Sequence, residues 1–344
     1  MTISIRNLAV DDETKWDDFV EQSSASFYHF TKWRHIIKKV FGHNSYYLYA
    51  VDDAEVIKGI LPIIRLKSHL FGDFLVSMPY FNYGGAVAVD EDVEQKLMLE
   101  AEKLSQQLGC SHIEYRDVKQ RKTELPVRTD KVSVILRLPS EPDLLWKAIG
   151  SKRRAQVKRP MREGIEFITG GIELLDDFYH VFSINMRDLG TPVYSRSFFK
   201  EMLVQFEGNT TIAVACLNGE AVSAGFLVGH NQRLEIPWAS TLRKVNKYGV
   251  NMYLYWNILS YAIKNKYTEF DFGRSSKDAG TLKFKKQWGG EQYQLYWYYQ
   301  LHANKQIPGL HPSNRKFHLA IATWQKLPVF ITNIIGPAIV KNLP

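Results

Sequence analysis

The stretch "DFGRSSKDAGTLKFKKQWGG", Asp271 to Gly290, places an acid, a guanidinium and several lysines within a few residues of each other. It begins like a strand, with Phe270 and Phe272 alternating around Asp271, and then turns glycine-rich and polar. Lys283, Lys285 and Lys286 follow, set among Phe284 and Trp288. Such groups together could orient an amine, neutralise an oxyanion or grip a phosphate. The residue types alone leave open a phosphate cradle, a nucleic-acid patch, a catalytic site and a solvated loop.

Three further stretches could share in that chemistry. In "KVNKYGVNMYLYWNILSYAIK", Asn251 is expected to cap a helix whose first turn, beside Tyr248 and Gly249, offers backbone N–H groups to an anion. In "IPWASTLRKVN", Pro237 interrupts a strand, so a bulge or splay is expected there, flanked by Trp238 and Ser240. The N–H groups it exposes could hold an oxyanion; plain core packing is the competing reading for Trp238. In "SMPYFNYGGAV", Tyr80, Asn82 and Tyr83 near two glycines suit a polar sugar- or peptide-like ligand, and a simple turn explains them equally well.

Other chemistries lack their signatures. The chain has no Walker A loop, GxGxxG, GxSxG or HExxH motif. No two histidines stand at ligand spacing, so no metal site is expected. Cys110 and Cys216 lie far apart without a CxxC, which predicts two buried free thiols.

The elements that must position these residues occur twice. In the first half, a helix with Trp33, Ile36, Ile37 and Val40 leads into strands Tyr46 to Val51 and Val56 to Ile64. Strand Leu75 to Ser77, helix Val93 to Leu108 and strand Ile113 to Tyr115 follow. In the second half, a helix with Phe198, Met202, Leu203 and Phe206 leads into strands Thr211 to Leu217 and Ala221 to Val228, joined by an Asn218-Gly219 turn. Strand Leu234 to Ala239, helix Asn251 to Lys264 and strand Phe270 to Phe272 complete that copy. A length of 344 residues suits two such mixed α/β domains. The predicted domains are 1–139 and 166–310, joined by a basic helix at 140–165 and followed by a helical tail at 311–344.

Net charge is +8, and seven basic residues with no acid fall between Lys147 and Arg162. Arg154, Lys158 and Arg162 recur on one helix face, Ser140 with Asp143 resembles a capping box, and Pro160 should kink or stop the helix. This face could be a solvated linker or could bind phosphates through Arg153, Arg154 and Lys158. The tail "LPVFITNIIGPAIVKNLP" is expected to dock on the body, with peripheral membrane contact as the other reading. With no signal-peptide pattern and no apolar window of 18 residues, a cytoplasmic protein is expected, peripheral at most to the inner membrane.

"SKRRAQVKRPMREGIEF", "LGTPVYSRSFF", "EIPWASTLRKVNKYGVNMYLYWNILSYA", "FDFGRSSKDAGTLKFKKQWGG" and "WQKLPVFITNIIGP", with "FGHNSYYLYA" and "FNYGG" upstream, resemble the Fem family of aminoacyltransferases. More closely they resemble the FemAB-like proteins associated with the PEP-CTERM/exosortase system. The resemblance implies an α/β (α+β) fold of two tandem GNAT-like domains with mixed central sheets. It implies transfer of an acyl or aminoacyl group to an amine of a cell-envelope or exopolysaccharide precursor. Lys285 takes the place of the family lysine, with Asp271 and Arg274 orienting it or the acceptor. Tyr248, Gly249 and Asn251, with the basic helix, would hold the donor, while Tyr80, Asn82, Tyr83, Trp238 and Ser240 would hold the acceptor. The co-substrate would be acyl-CoA or aminoacyl-tRNA, with no tightly bound cofactor and no DNA. Two alternatives stand beside this: a tRNA-dependent peptidoglycan-bridge transferase, and a non-catalytic adaptor on membrane or nucleic acid.

Overall fold

A computed structural model of the chain describes residues 2–277, 279–302, 306–308 and 315–344, the side chains of 315–317 excepted. The chain forms two compact units, and neither is one continuous stretch. The first holds Met1–Val132, Gln294–Gly309 and Lys341–Pro344; the second holds Ser133–Tyr293 and Leu310–Val340.

In the first unit, β1 (Ser4–Asn7), α1 (Glu13–Gln22) and α2 (Lys32–Phe41) precede the meander β2 (Asn44–Val51), β3 (Ile57–Ser68) and β4 (Gly72–Val76). Then come β5 (Val87–Ala88), α3 (Glu91–Gln107), β6 (His112–Asp117) and β7 (Val127–Arg128). The sheet order is β1-β2-β3-β4-β6, then a strand from far downstream, Tyr296–Leu301, then β7, with β5 on β3. α3 starts at Asp90, whose carboxylate accepts from Val93 N at 2.8 Å, and acids fill its first turn, where the helix dipole favours them. Its Val93, Leu97 and Ala101 pack with Leu61, Ile63, Leu75 and Ile113 in the core.

The second unit repeats that order. β8 (Lys131–Arg137), α4 (Pro142–Ala148), α5 (Gly150–Arg162), β9 (Ile165–Gly170) and α6 (Leu175–Leu189) come first. α7 (Arg196–Gln205), β10 (Thr210–Leu217), β11 (Glu220–His230), β12 (Arg233–Thr241), α8 (Val250–Lys264) and β13 (Glu269–Ser276) match the copy expected from the sequence. α9 (Gly280–Lys286) and β14 (Glu291–Gln294) follow, and the sheet order is β14-β8-β13-β12-β11-β10-β9. The β10–β11 turn has φ +53° at Asn218 and +80° at Gly219, the left-handed pair that a two-residue hairpin requires. Both sheets are mixed, and the fold is the tandem GNAT-like architecture expected from the sequence.

Several local expectations are corrected. Contiguous spans 1–139 and 166–310 do not describe the units, because strand pairing rather than chain order places the edge elements. Ser133–Arg137 of β8 lies in the second sheet, while Tyr296–Leu301 (β15) pairs antiparallel with β6 from Tyr296↔Asp117 to Leu301↔His112. The connecting segment is two helices, broken at Gly150 with φ +78°. The first begins after Glu141 with Pro142 in its opening turn, not at Ser140, and Pro160 sits inside α5 near its end. Cys110 is buried, whereas Cys216 is only half-buried; both are free thiols. The tail forms α10 (Arg315–Trp324) and α11 (Val329–Val340). α11 packs against α6, where Gly336 lets the backbone close on Val193: a Cβ there would lie 2.9 Å from Val193 N.

Candidate functional site

A parallel strand pair lies in each unit, β4–β6 in the first and β12–β13 in the second, and the predicted catalytic residues lie at the second. β12 and β13 run parallel only from Arg233↔Glu269 to Glu235↔Asp271. Beyond Glu235, β12 bulges: Glu235 faces Val228 and Trp238 faces Phe226, so Ile236 and Pro237 together oppose Leu227. Pro237 has no N–H to give a ladder. On the other side β13 turns at Gly273, whose φ of +70° lies in the left-handed region that favours glycine. The two strands therefore part into a wedge with Glu235 and Asp271 at its apex.

Three charged side chains occupy that apex. Asp271 is fully buried and accepts from Ser133 Oγ at 2.7 Å and from Gly273 N at 2.8 Å. Glu235 is buried beside it. Lys285, on α9, is 8% exposed, and its Nζ donates to the carbonyls of Gly273 and Arg274, both at 2.8 Å. Burial pushes the Lys285 amine down to about 8 against the pull of the Asp271 and Glu235 carboxylates. The Arg274 side chain is exposed at the rim, while its carbonyl takes the lysine. The structure thus sets Lys285 beside Asp271 and the Gly273–Arg274 backbone, and leaves the Arg274 side chain outside the apex. A buried cation beside two carboxylates in a parted strand pair can neutralise an oxyanion, orient an amine and accept its proton.

Glu235 is the functional candidate that sequence reasoning missed. It is the single acid in the apolar run "LEIPWA", directly before the strand-breaking Pro237, and that isolation was the available signal. Ser133 could not be found by pattern, since it reaches Asp271 only through the placement of β8 in this sheet.

The expected donor residues lie around the start of α8. Gly249, with φ +80°, caps the helix, not Asn251. Asn251 lies in the first turn, its Oδ1 accepting from Thr241 Oγ1 at 3.4 Å, which ties the helix start to the end of β12. Tyr248 ends the preceding turn, with Lys247 Nζ 4.7 Å from its ring. α5 runs alongside: a Cβ on Gly249 would lie 3.6 Å from the Gln156 carbonyl. Two of the expected phosphate-binding cations on α5 have local partners. Arg153 donates to Ile149 O at 2.9 Å and Arg154 to the Trp146 and Lys147 carbonyls at 3.2 Å, capping the end of α4. Lys158 is exposed, 5.8 Å from the Trp146 ring.

The expected acceptor residues are not presented as the sequence suggested. Trp238 packs edge-on against Phe199 at 5.2 Å and Phe198 at 5.7 Å on the α6/α7 side of the sheet. Ser240 is buried on that side and accepts from Asn185 Nδ2 at 3.1 Å. Tyr80, Asn82 and Tyr83, expected on the surface, are buried in the first unit, where Tyr80 Oη donates to Lys341 O at 2.7 Å.

The loop that carries them closes the first unit's own wedge. β4 and β6 part beyond Val76↔Glu114, the counterpart of Glu235↔Asp271. Here Gly84 N and Gly85 N donate to Arg116 O, at 3.2 and 2.9 Å. The Arg116 guanidinium fills the gap: it donates to Glu114 Oε1 at 2.8 Å and Phe81 O at 2.7 Å and lies 4.4 Å from the Trp297 ring. Met78 and Tyr80 take positive φ, +54° and +74°, to make the loop, a strained arrangement for side chains of this size.

The architecture is that of tandem GNAT-type proteins, and comparison with known proteins agrees. Residues 151–294 match the family model of the acetyltransferase (GNAT) domain, which covers the second unit's wedge, α8 and Lys285. The solved structure of FemX is similar, with a TM-score of 0.65 at 12% identity over 86% of this chain and 97% of that one. So is the C-terminal domain of a putative lysylphosphatidylglycerol synthetase from Agrobacterium fabrum, at 0.60 and 12% over 86% and 93%. A tandem GNAT protein from the clavulanic acid biosynthesis pathway gives 0.57 and 10% over 89% and 100%. No curated protein sequence matches. The matched domain supports an acyltransferase, and the solved structures support the shared fold.

Proposed function

We propose that the second unit is an N-acyltransferase that moves an acyl or aminoacyl group onto an amine of an envelope or exopolysaccharide precursor. The observation that carries this reading is the wedge beyond Glu235↔Asp271, with buried Lys285 at its apex. The acceptor amine loses a proton to Glu235 and attacks the acyl carbonyl; the oxyanion that forms is neutralised by Lys285 and by backbone N–H groups of the bulged β12. The carbon–sulfur or ester bond then breaks, the proton passes to the leaving group, and an amide remains. Asp271, held by Ser133 and Gly273, fixes the backbone against which Lys285 rests. No cofactor is needed, since GNAT acyltransferases take acyl-CoA as co-substrate. The envelope-type acceptor rests on the resemblance to FemAB-like proteins of the PEP-CTERM/exosortase system.

Aminoacyl-tRNA as donor is the second reading, favoured by the exposed cations Lys152, Lys158, Arg159 and Arg162 on α5 beside the start of α8. The test is to offer the protein acyl-CoAs and aminoacyl-tRNAs with amino-sugar and diamino-peptide acceptors, and to measure amide formation by mass. Amide formed in step with CoA or tRNA release is the expected result; release without any amide would sink N-acyl transfer. Charge reversal at Lys158 and Arg159 should flatten the salt dependence of tRNA binding if tRNA is the donor. An unchanged slope removes that donor.

A further inference from the structure

We infer that the α10–α11 hairpin is an in-plane docking surface for an anionic lipid bilayer. The hairpin is apolar on two sides, and only one of them is used by the fold. On the inner side Trp324, Thr332, Gly336 and Val340 are buried. The hairpin is pinned to α6 by Arg187 Nη1 on Leu327 O at 3.1 Å and by Gln325 Nε2 on Asp188 O at 3.0 Å. Away from that contact, Phe330 is 65% exposed and Ile334 72% on α11, and Leu319 is 78% exposed on α10. Phe330 and Ile334 stand one turn apart on one helix face, so they enter a surface together. A hairpin already fixed on α6 does not need this second apolar face for folding.

Charge selects the occupant. After Glu291 the sequence has no acid and five lysines and arginines. Lys326 is exposed at the turn between the helices. Arg243 is exposed too; it donates to the same Asp188 carbonyl as Gln325, and its guanidinium lies 3.8 Å from the Asp188 carboxylate, which Arg187 also pairs, so these two arginines outnumber the one acid at this edge. Leu189, the next residue, is also exposed. Large apolar side chains with basic residues at their edge fit the interface of an anionic bilayer, the chains entering the acyl boundary and the cations meeting the headgroups. The 12 residues of α11 span about 18 Å, well short of a bilayer core, and no helix among the described residues is long and apolar enough to cross one. The helix therefore lies in the interface plane. This inference adds a location to the proposed transfer and needs no substrate to be tested.

The experiment is co-sedimentation of the full chain with phosphatidylglycerol/phosphatidylcholine vesicles and with pure phosphatidylcholine vesicles, without acyl donor or acceptor. Binding to the anionic vesicles alone, weakened by salt, is expected. Phe330→Ser with Ile334→Ser should cut the partition coefficient by at least about tenfold. Lys326→Glu should cut it severalfold. Both changes are on exposed residues and should leave the melting curve in place. No binding to anionic vesicles, or binding that the double substitution leaves unchanged, overturns the inference. So does a lipid-free dimer that the same substitutions dissociate, since a second copy would then cover the face. Acyl transfer assayed on soluble substrates is untouched by any of these outcomes.

Discussion

Substituting Lys285 separates its electrostatic role from its structural one. Its folded amine lies near 8, against 10.5 for the unperturbed group. That difference corresponds to about 3 kcal/mol by which folding disfavours the charged form. Because the folded value is the lower one, the unfolded chain holds more protons between pH 8 and 10.5, and stability rises with pH across that window. Below pH 8 the full penalty applies. Lys285→Met keeps the volume and removes the charge, so its stability relative to wild type should be most favourable near pH 7 and fall by up to about 3 kcal/mol by pH 10.5. Urea melts of both proteins at pH 7 and pH 10 measure this difference, and other titrating groups cancel in it. Activity gives the second reading. If the ammonium neutralises the oxyanion, the wild-type rate should fall as pH rises through about 8. Lys285→Arg, which stays charged, should lose that falling limb, while Lys285→Met loses turnover at every pH. A stability difference flat in pH, or a limb near 8 that survives in Lys285→Arg, refutes the reasoning.

Three further substitutions test the remaining parts. Glu235→Gln should lower kcat by about a hundredfold with little change in melting temperature, if Glu235 takes the proton; unchanged kcat removes it from the mechanism. Gly273→Ala, forced to hold φ +70°, should destabilise the protein by about 1–2 kcal/mol and disturb the carbonyl that receives Lys285, lowering kcat as well. Arg116→Met leaves Glu114 buried without its cation and should cost about 3–5 kcal/mol by chemical denaturation, marking that wedge as structural.

The duplicated architecture was legible because hydrophobic periodicity carried it: each copy has a striped helix, a hairpin with acidic or Asn-Gly turn chemistry, and a second striped helix. The proximity of Asp271 and Lys285 could be read because both lie on one short stretch of chain, whereas that stretch does not say that Arg274 would offer its carbonyl rather than its side chain. What stayed hidden depended on partners distant in sequence. β15 looks like any aromatic strand, and only its pairing with β6 assigns it to the first unit. Asn251 looked like a cap because its side chain suits one, but Gly249 already takes the left-handed conformation at that point. Tyr80, Asn82 and Tyr83 read as a surface site since tyrosines and asparagine beside glycines serve both recognition and tight turns. The loop instead folds inward over Arg116, whose buried guanidinium no local pattern announces.

Hydrogen exchange on the full chain, with and without a non-hydrolysable acyl-CoA analogue, tests the wedge as the donor site most directly. The backbone N–H groups of Ile236 and Trp238 and those from Gly273 to Ser276 should gain protection on binding, together with the first turn of α8, and loop 77–86 of the first unit should not change. Protection confined to loop 77–86, or absent from the β12 and β13 segments while the analogue is bound, would contradict it.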